Sequence, residues 1–565
     1  MKKTICFLFL FISFNISSQN YRSPFDFPLY LSGTFGELRN DHFHTGIDIK
    51  TQETIGHNLY AIEDGYVSRI KVSTWGYGKV LYINHPDGNT SVYAHMLKFN
   101  DKIEKLVKEH QYKNKSFEIQ IYPSKKDIVL KKGEIIGLSG NTGSSGGPHL
   151  HFEIRNTNTE KPLNPLNFGF KVKDNIDPII NDIIIYDNYN NNIGNLKNHK
   201  RKYSTKKTGD FYSLETKSII EVSGNTVFGI NTFDRQNGSP NNRNGVYSIK
   251  LLIDNEIVYH FQVDELDFST NRFINAHIDY QEYNENNTRY NRCHKLPNNQ
   301  LSNYLILKNN GIINFKDSSI HEVKFEVRDI KDNLSILKFK VKSIPNEEDK
   351  IIKDEIPLLK FNKSNIYVSD SQDFKVHMKM NTLYQNYKIE YDVIPKTLNT
   401  LSNIHNFMNE SIPVQNKFSI SIKSDIPLIL KDKVYIGKRI KHGNFKYKGK
   451  IWKDNFLSAN TREFGSYCIV ADTIKPYISK ITKKMEKNIY GGDGSISVKI
   501  YDYESGISYY EGKIDDKWVV MEYEHKNNTL TYYIDENLKK GTHKIHITIR
   551  DNLNNQSELI EEFTY

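Results

Sequence analysis

Cysteine is almost missing from this sequence. Three occur in 565 residues, and the first, Cys6, lies inside an apolar N-terminal run rather than behind a small-residue cleavage box, so a lipid-anchored N-terminus is not expected. Cys293 and Cys468 either pair or stand as free thiols. Neither case gives a disulfide framework able to organise a chain of this length. Alanine, the strongest helix former, is scarce, while isoleucine, tyrosine, phenylalanine and asparagine are plentiful. Those residues favour strands and turns, so a mostly β fold is expected. No apolar run beyond the N-terminus is long enough to cross a bilayer. No block of one charge sign accompanies the formal net charge of +10. That charge reads as a solvated, lysine-rich surface. With no basic helix and no aromatic ribonucleoprotein pattern, nucleic acid is not expected as a partner.

What is present begins with an export signal at 1–18. Lys2 and Lys3 supply the charged start, Ile5 to Ile16 the apolar run, and Ser17-Ser18 the small residues before Gln19. The rest of the chain is therefore expected in the periplasm or cell envelope, or secreted, with no transmembrane segment. Its length exceeds what one core organises, so several domains are expected. From Leu31 to about Phe170, short strands alternate with turns such as Asp64-Gly65 and Pro86-Asp87-Gly88. Asp101 to about Lys113 breaks this pattern, with Ile103, Leu106, Val107 and His110 at helical spacing and Asn100 or Asp101 as cap. A short helix inserted into a self-contained β domain at 19–171 follows. Ig-like β-sandwich modules are expected at 172–345 and 471–565. A repeat supports them: His321 to Asp329 resembles His543 to Asp551, and each is followed in register by Asn-x-Ser, at Asn333 to Ser335 and Asn555 to Ser557. The region 346–470 between them is rich in strands and matches neither copy.

Candidate chemistry lies in the first domain. His44 and Asp48, four apart with Gly46 between, would face one way along a strand. In His149-Leu150-His151-Phe152-Glu153, alternation puts both histidines on one face and Leu150 and Phe152 on the other, against a core. His95 stands alone after a strand. Two histidines and a carboxylate with a position left for water form a catalytic zinc shell. Five candidates leave two histidines over for proton chemistry. The loop Gly140 to Pro148 is rich in glycine, but no Gly-Lys-Ser/Thr follows, so it is not a phosphate-binding loop. The His-Glu-x-x-His helix of glutamate-base zinc proteases is also missing.

Phe43 to Asp48, Asp64-Gly65-x-Val67, Gly76-Tyr77-Gly78, Tyr93 to Met96, and Gly140 to Gly143 running on to His149 through Glu153 together closely resemble the lysostaphin-like (LytM-type) zinc metallopeptidases. The resemblance covers about residues 31–170. It implies an antiparallel β-sheet peptidase domain with Zn2+ held by His44, Asp48 and His151, and with His95 and His149 as the catalytic pair. It also implies hydrolysis of peptide cross-links in bacterial peptidoglycan, the D-alanyl to diamino-acid bond being favoured over glycine bridges. Some relatives have lost ligands and serve only as binding or activating proteins, whereas none is missing here. The alternative is an occluded, non-catalytic scaffold that binds the wall or activates hydrolases. In either case the sandwiches offer a surface for a wall or protein partner. His42 is a decoy for His44 at the wrong distance from Asp48.

Overall fold

The computed structural model describes residues 21–189, 193, 194, 199–344 and 357–565, so the expected export signal lies outside the described residues. The chain is mostly β, and its apolar side chains gather into four main cores along the sequence. Among the described residues no helix is long and apolar enough to cross a membrane.

The first body contains β1 (Leu31–Gly33), β2 (Ile47–Lys50), β3 (Asn58–Tyr60), β4 (Gly65–Val72), β5 (Lys79–Asn84), β6 (Asn89–Ala94), β7 (Lys98–Phe99), α1 (Asp101–Asn114), β8 (Ile119–Ile121), β9 (Val129–Leu130), β10 (Ile135–Leu138), β11 (His149–Asn156) and β12 (Pro162–Leu163). The main sheet runs β1-β2-β11-β6-β5-β4-β8, with β12 beside β11 and β9 beside β4, and a small sheet runs β3-β10-β7. All pairings in this body are antiparallel. The central strand β11 is buried on both faces: Leu150, Phe152 and Ile154 enter the core, while the opposite face carries His151 and Glu153. The expected insert is helix α1. The Asn100 side chain caps it by accepting from the Ile103 amide, and Ile103 and Val107 fasten it to the core.

Next comes a sandwich whose strands lie between Ile179 and Ser343. Its two layers are joined by one long strand, His199–Thr208: residues 199–204 pair with one layer and 205–208 with the other. The third body stacks two five-stranded sheets around Leu359, Phe374, Ile420, Ile436 and Ile469. The last is a sandwich of five-stranded and four-stranded sheets around Ile496, Leu530 and Ile547. Cys293 and Cys468 are buried free thiols in different bodies. The repeated segments form equivalent hairpins, Ile320–Arg328 with Leu334–Ser343 and Thr542–Asp551 with Gln556–Thr564. Each is fixed the same way: Ser335 Oγ and Ser557 Oγ donate to the carbonyls of Pro178 and Pro476. His321 and His543 bond Asp254 and Asp515, each at 2.6 Å.

The four bodies close on one another. Phe35 and Phe43 leave the first body and enter the core of the first sandwich. Tyr384 of the third body enters that same core and donates to the Arg272 carbonyl. Lys433 of the third body donates to Leu553 O and Asn555 Oδ1 of the last sandwich. The last sandwich returns to the first body, where Glu522 pairs with Lys79 at 3.0 Å and the His525 ring lies 3.8 Å from that of Trp75. The first body keeps its own core, from Tyr21 to Val172, and two of its phenylalanines, Phe35 and Phe43, also complete the core of the next.

Candidate active site

Strand register builds half of the site. Asp48 on β2 stands directly opposite His151 on β11, and Ala94, the last residue of β6, stands opposite His151 on the other side. Cross-strand partners share a face, so Asp48 and His151 meet there, and His95 follows one residue beyond. His95 has left-handed backbone (φ 59°), a conformation uncommon outside glycine, and the chain turns there at the end of β6.

His44 arrives differently from the expectation. β2 begins only at Ile47, so strand alternation does not bring His44 to Asp48. Instead, Gly36 N donates to His44 O and His44 N to Glu37 O, and this hairpin swings the ring back over Asp48. Gly46 also has another role than clearing a face. A Cβ there would lie 2.4 Å from Phe152 O, so glycine is needed for this bend to touch β11.

His44 Nε2, His151 Nδ1 and Asp48 Oδ1 lie 2.9–3.0 Å from one another. All three residues are buried. The outer nitrogens are already committed. His44 Nδ1 donates to Thr34 O at 2.8 Å, and a carbonyl can only accept. His151 Nε2 donates to the Glu153 carboxylate at 2.8 Å. Two nitrogen lone pairs and a carboxylate oxygen therefore face one point. A proton can bridge two of these atoms, but a cation serves all three, so the donor set fits a zinc ion.

The electrostatics agree. Burial alone would raise the Asp48 carboxyl, but with no cation present the charge of a protonated His44 and hydrogen bonds from protonated histidines hold it well below the usual carboxylate range. Burial pushes His44 down, favouring its neutral form. For His151 burial is outweighed by hydrogen bonds to Asp48 and Glu153, which raise it to about 9, so a proton competes with a cation for this position.

The other two histidines lie beside this group. The His95 and His149 rings are 4.8 Å apart, and His149 Nε2 is 3.5 Å from Asp48 Oδ1. Each donates from Nδ1 to a carbonyl of the glycine-rich loop at 2.8 Å, His95 to Thr142 O and His149 to Gly147 O. This leaves both Nε2 atoms as proton acceptors. Burial and the neighbouring His149 and His151 push His95 down to about 3, so it stays neutral at physiological pH. The structure thus brings together all five residues singled out in the sequence. His42 is exposed and bonds Asp41 instead.

Sequence reasoning missed the supports around them. Glu153 is fully buried and accepts from His151, Thr45, Tyr77 and Arg155. Burial opposes its ionisation, but the Arg155 charge and the His151 hydrogen bond keep it ionised. Tyr77 stacks on the His151 ring at 5.1 Å. Arg39 donates to Asp48 Oδ2 at 2.8 Å, which leaves Oδ1 to face the histidines. The alternation that placed His151 on this face also placed Glu153 there, two residues on. Nothing local marked Arg39.

Residues 42–117 and 108–165 match peptidase family M23. The first body is a LytM-like metallopeptidase domain of that family. DD-carboxypeptidase/endopeptidase Mpg of Neisseria meningitidis serogroup B is 31% identical to the chain over 129 residues, which is 23% of this chain and 23% of Mpg. Murein hydrolase activator NlpD of Escherichia coli is 33% identical over 135 residues, 24% of this chain and 28% of NlpD. The chain thus spans about a quarter of the length of these curated relatives. The solved catalytic domain of the antimicrobial peptidase lysostaphin from Staphylococcus simulans is 27% identical, with 25% of this chain and 88% of that chain covered and a TM-score of 0.18. Residues 357–472, outside the M23 domain, match the Zu5-like domain family.

The neighbouring sandwiches hold both sides of the M23 site. On the side of His44 and Asp48, Asn271 of the first sandwich clasps the main chain of Phe43, accepting from its amide at 2.8 Å and donating to its carbonyl at 3.0 Å. On the side of His95, Lys526 of the last sandwich donates to the carbonyls of Asn141 and Gly143, which flank Thr142.

Proposed function

We propose that the chain is a zinc-dependent endopeptidase of the bacterial cell envelope that hydrolyses peptide cross-links of peptidoglycan. The observation that carries this reading is the group of three inward-facing donor atoms, on His44, Asp48 and His151, with the rings of His95 and His149 beside it. A zinc ion held there supplies a Lewis acid that polarises the scissile carbonyl and acidifies a water. One of the His95 and His149 Nε2 atoms, through its lone pair, would take the proton of the attacking water, and the other, once it carries a proton, would steady the developing oxyanion or pass that proton to the departing amine. Arg39 and Glu153 hold the metal-facing groups from outside. The name of Mpg, a DD-carboxypeptidase/endopeptidase, supports the D-alanyl to diamino-acid bond as the one cut.

The activator reading is favoured by one observation, the grip of Lys526 on the loop that orients His95 and His149. Incubating the zinc-loaded chain with cross-linked muropeptide dimers decides between them. Dimers should fall to monomers with new free amines and no new reducing ends. Asp48→Ala should lose both zinc and activity. His95→Ala should keep zinc while losing activity by about two orders of magnitude or more. Dimers left intact by the wild-type chain would discard the enzyme in favour of the activator.

A further inference from the structure

Two groups of three aspartates stand at matching places in the two sandwich copies. One carboxylate oxygen from each of Asp174, Asp234 and Asp329 lies within 4.8 Å of the other two, and Asp472, Asp502 and Asp551 repeat this arrangement. The correspondence runs residue by residue. Asp174 and Asp472 each open an Asp-x-Ile-x-Pro segment leading into a sandwich, ending at Pro178 and Pro476. Asp234 and Asp502 each follow an aromatic residue, Phe233 and Tyr501. Asp329 and Asp551 each follow the arginine of the repeated hairpin, Arg328 and Arg550.

Carboxylates gathered out of water repel one another unless hydrogen bonds or a cation satisfy them. Hydrogen bonds cover part of the first group. Asp329 accepts from the amides of Lys331 and Asn333 and from the Asn333 side chain. Asp174 Oδ1 accepts from the Ile176 amide. Asp174 Oδ2 and Asp234 Oδ1 are buried and have no partner, although Asp234 is only 2% exposed.

A separate side chain makes the same point. Asn244 stands opposite Asp234 across an antiparallel pair, so both side chains leave the sheet on one face. Asn244 is 1% exposed, and neither its Oδ1 nor its Nδ2 has a partner. The next pair on this ladder, Gln236 and Ser239, likewise buries an unpartnered Oε1 and Oγ. In the second group Asp472 Oδ2 is buried and unpartnered, while Asp502 accepts from the Ser505 and Gly506 amides and Asp551 from the Leu553 and Asn555 amides. Three carboxylates gathered with carboxylate and amide oxygens left over after hydrogen bonding suit a cation better than a complete hydrogen-bond network.

We propose that Asp174, Asp234 and Asp329, with the amide oxygen of Asn244, bind one calcium ion, and that Asp472, Asp502 and Asp551 bind a second at the equivalent place. The donors are all oxygen, which selects a hard cation over zinc. Several carboxylates with amide and hydroxyl oxygens nearby suit calcium's large, flexible shell better than the rigid octahedron of magnesium. Each site ties an entry segment to the turn that follows the hairpin arginine. That turn docks on the preceding body: Ile330, beside Asp329, packs on the M23 core, and Leu553, two beyond Asp551, packs with Tyr435 and Val470 of the third body. Calcium therefore sets the angle at two of the joints between bodies.

The test is calorimetric titration of the full, zinc-saturated chain with calcium chloride, beside melting curves. Two calcium ions per chain are expected, with Kd of about 10⁻³ M or tighter, and calcium should raise Tm. Asp234→Asn and Asp502→Asn keep the side-chain shape, remove one repelling charge each, and should each bind one ion. Their Tm in calcium-free buffer should equal or exceed that of the wild type, which separates lost binding from a damaged fold. No calcium uptake at several millimolar, or two ions retained in both variants, overturns the proposal.

Discussion

The M23 domain reaches into the first sandwich, whereas the last sandwich rests against it. At the first contact the Phe43 ring is fully buried, 6.1 Å from Phe261 and 5.6 Å from His277, and Asn271 satisfies its main chain. At the second, most contacts are polar or aromatic surface groups: Lys79 with Glu522, Lys108 with Asp535 and Glu536, Trp75 with His525, and Tyr112 with Trp518. Shared apolar burial is lost only with the fold, while charged contacts recover water when they part. Two copies of one hairpin design thus give a fixed wall on the His44 side and a separable one on the His95 side. The difference lies in what the M23 domain offers each of them.

The strongest way to break this comparison is Phe43→Ala. Emptying a buried phenylalanine site costs about 3–5 kcal/mol, and because His44 is the next residue, zinc content should fall with stability. Denaturant melts with metal analysis would read both, and a stable, fully metallated variant would show the first contact to be as superficial as the second. Glu522→Ala comes next. The Lys79 side chain, 4% exposed, loses its counter-charge at a cost of about 3 kcal/mol or less, since undocking returns it to water. The expected result is faster proteolysis between the third body and the last sandwich with zinc content unchanged; loss of zinc would make the last sandwich part of the site. Smallest is Lys108→Ala, which removes a partly exposed pair worth about 0–1 kcal/mol. It should raise the same proteolysis rate slightly, and less so in high salt.

The grouping of the five candidate residues was legible because each sits in a short, ordered motif whose spacing survives folding. Helix α1 was legible for the same reason, being decided within one or two turns of chain, although its cap stood open between Asn100 and Asp101 until the structure chose Asn100. Phe43 was not. An apolar residue in a strand-like segment announces burial but not which core it enters, and its partners Phe261 and His277 lie more than two hundred residues away. Arg39 escaped because an arginine near a turn reads as solvated until Asp48 is placed beside it. The aspartate groups escaped because their members come from distant segments. The repeated hairpin carried one of each three, and aligning the entry prolines of the two copies would have given a second. The long strand His199–Thr208 shows another limit: alternation predicts two faces but not a strand that changes partner halfway along.

Because the last body returns to the first, the molecule is a closed linkage rather than a string. On a string each hinge turns alone. In a loop of four rigid bodies, a turn at one hinge must be answered at the others. The two sides of the M23 site are gripped by different bodies, and those bodies meet again through the third. A displacement where Tyr384 meets Arg272 is therefore constrained by the grips on both sides of the M23 site, although that contact touches none of the five residues.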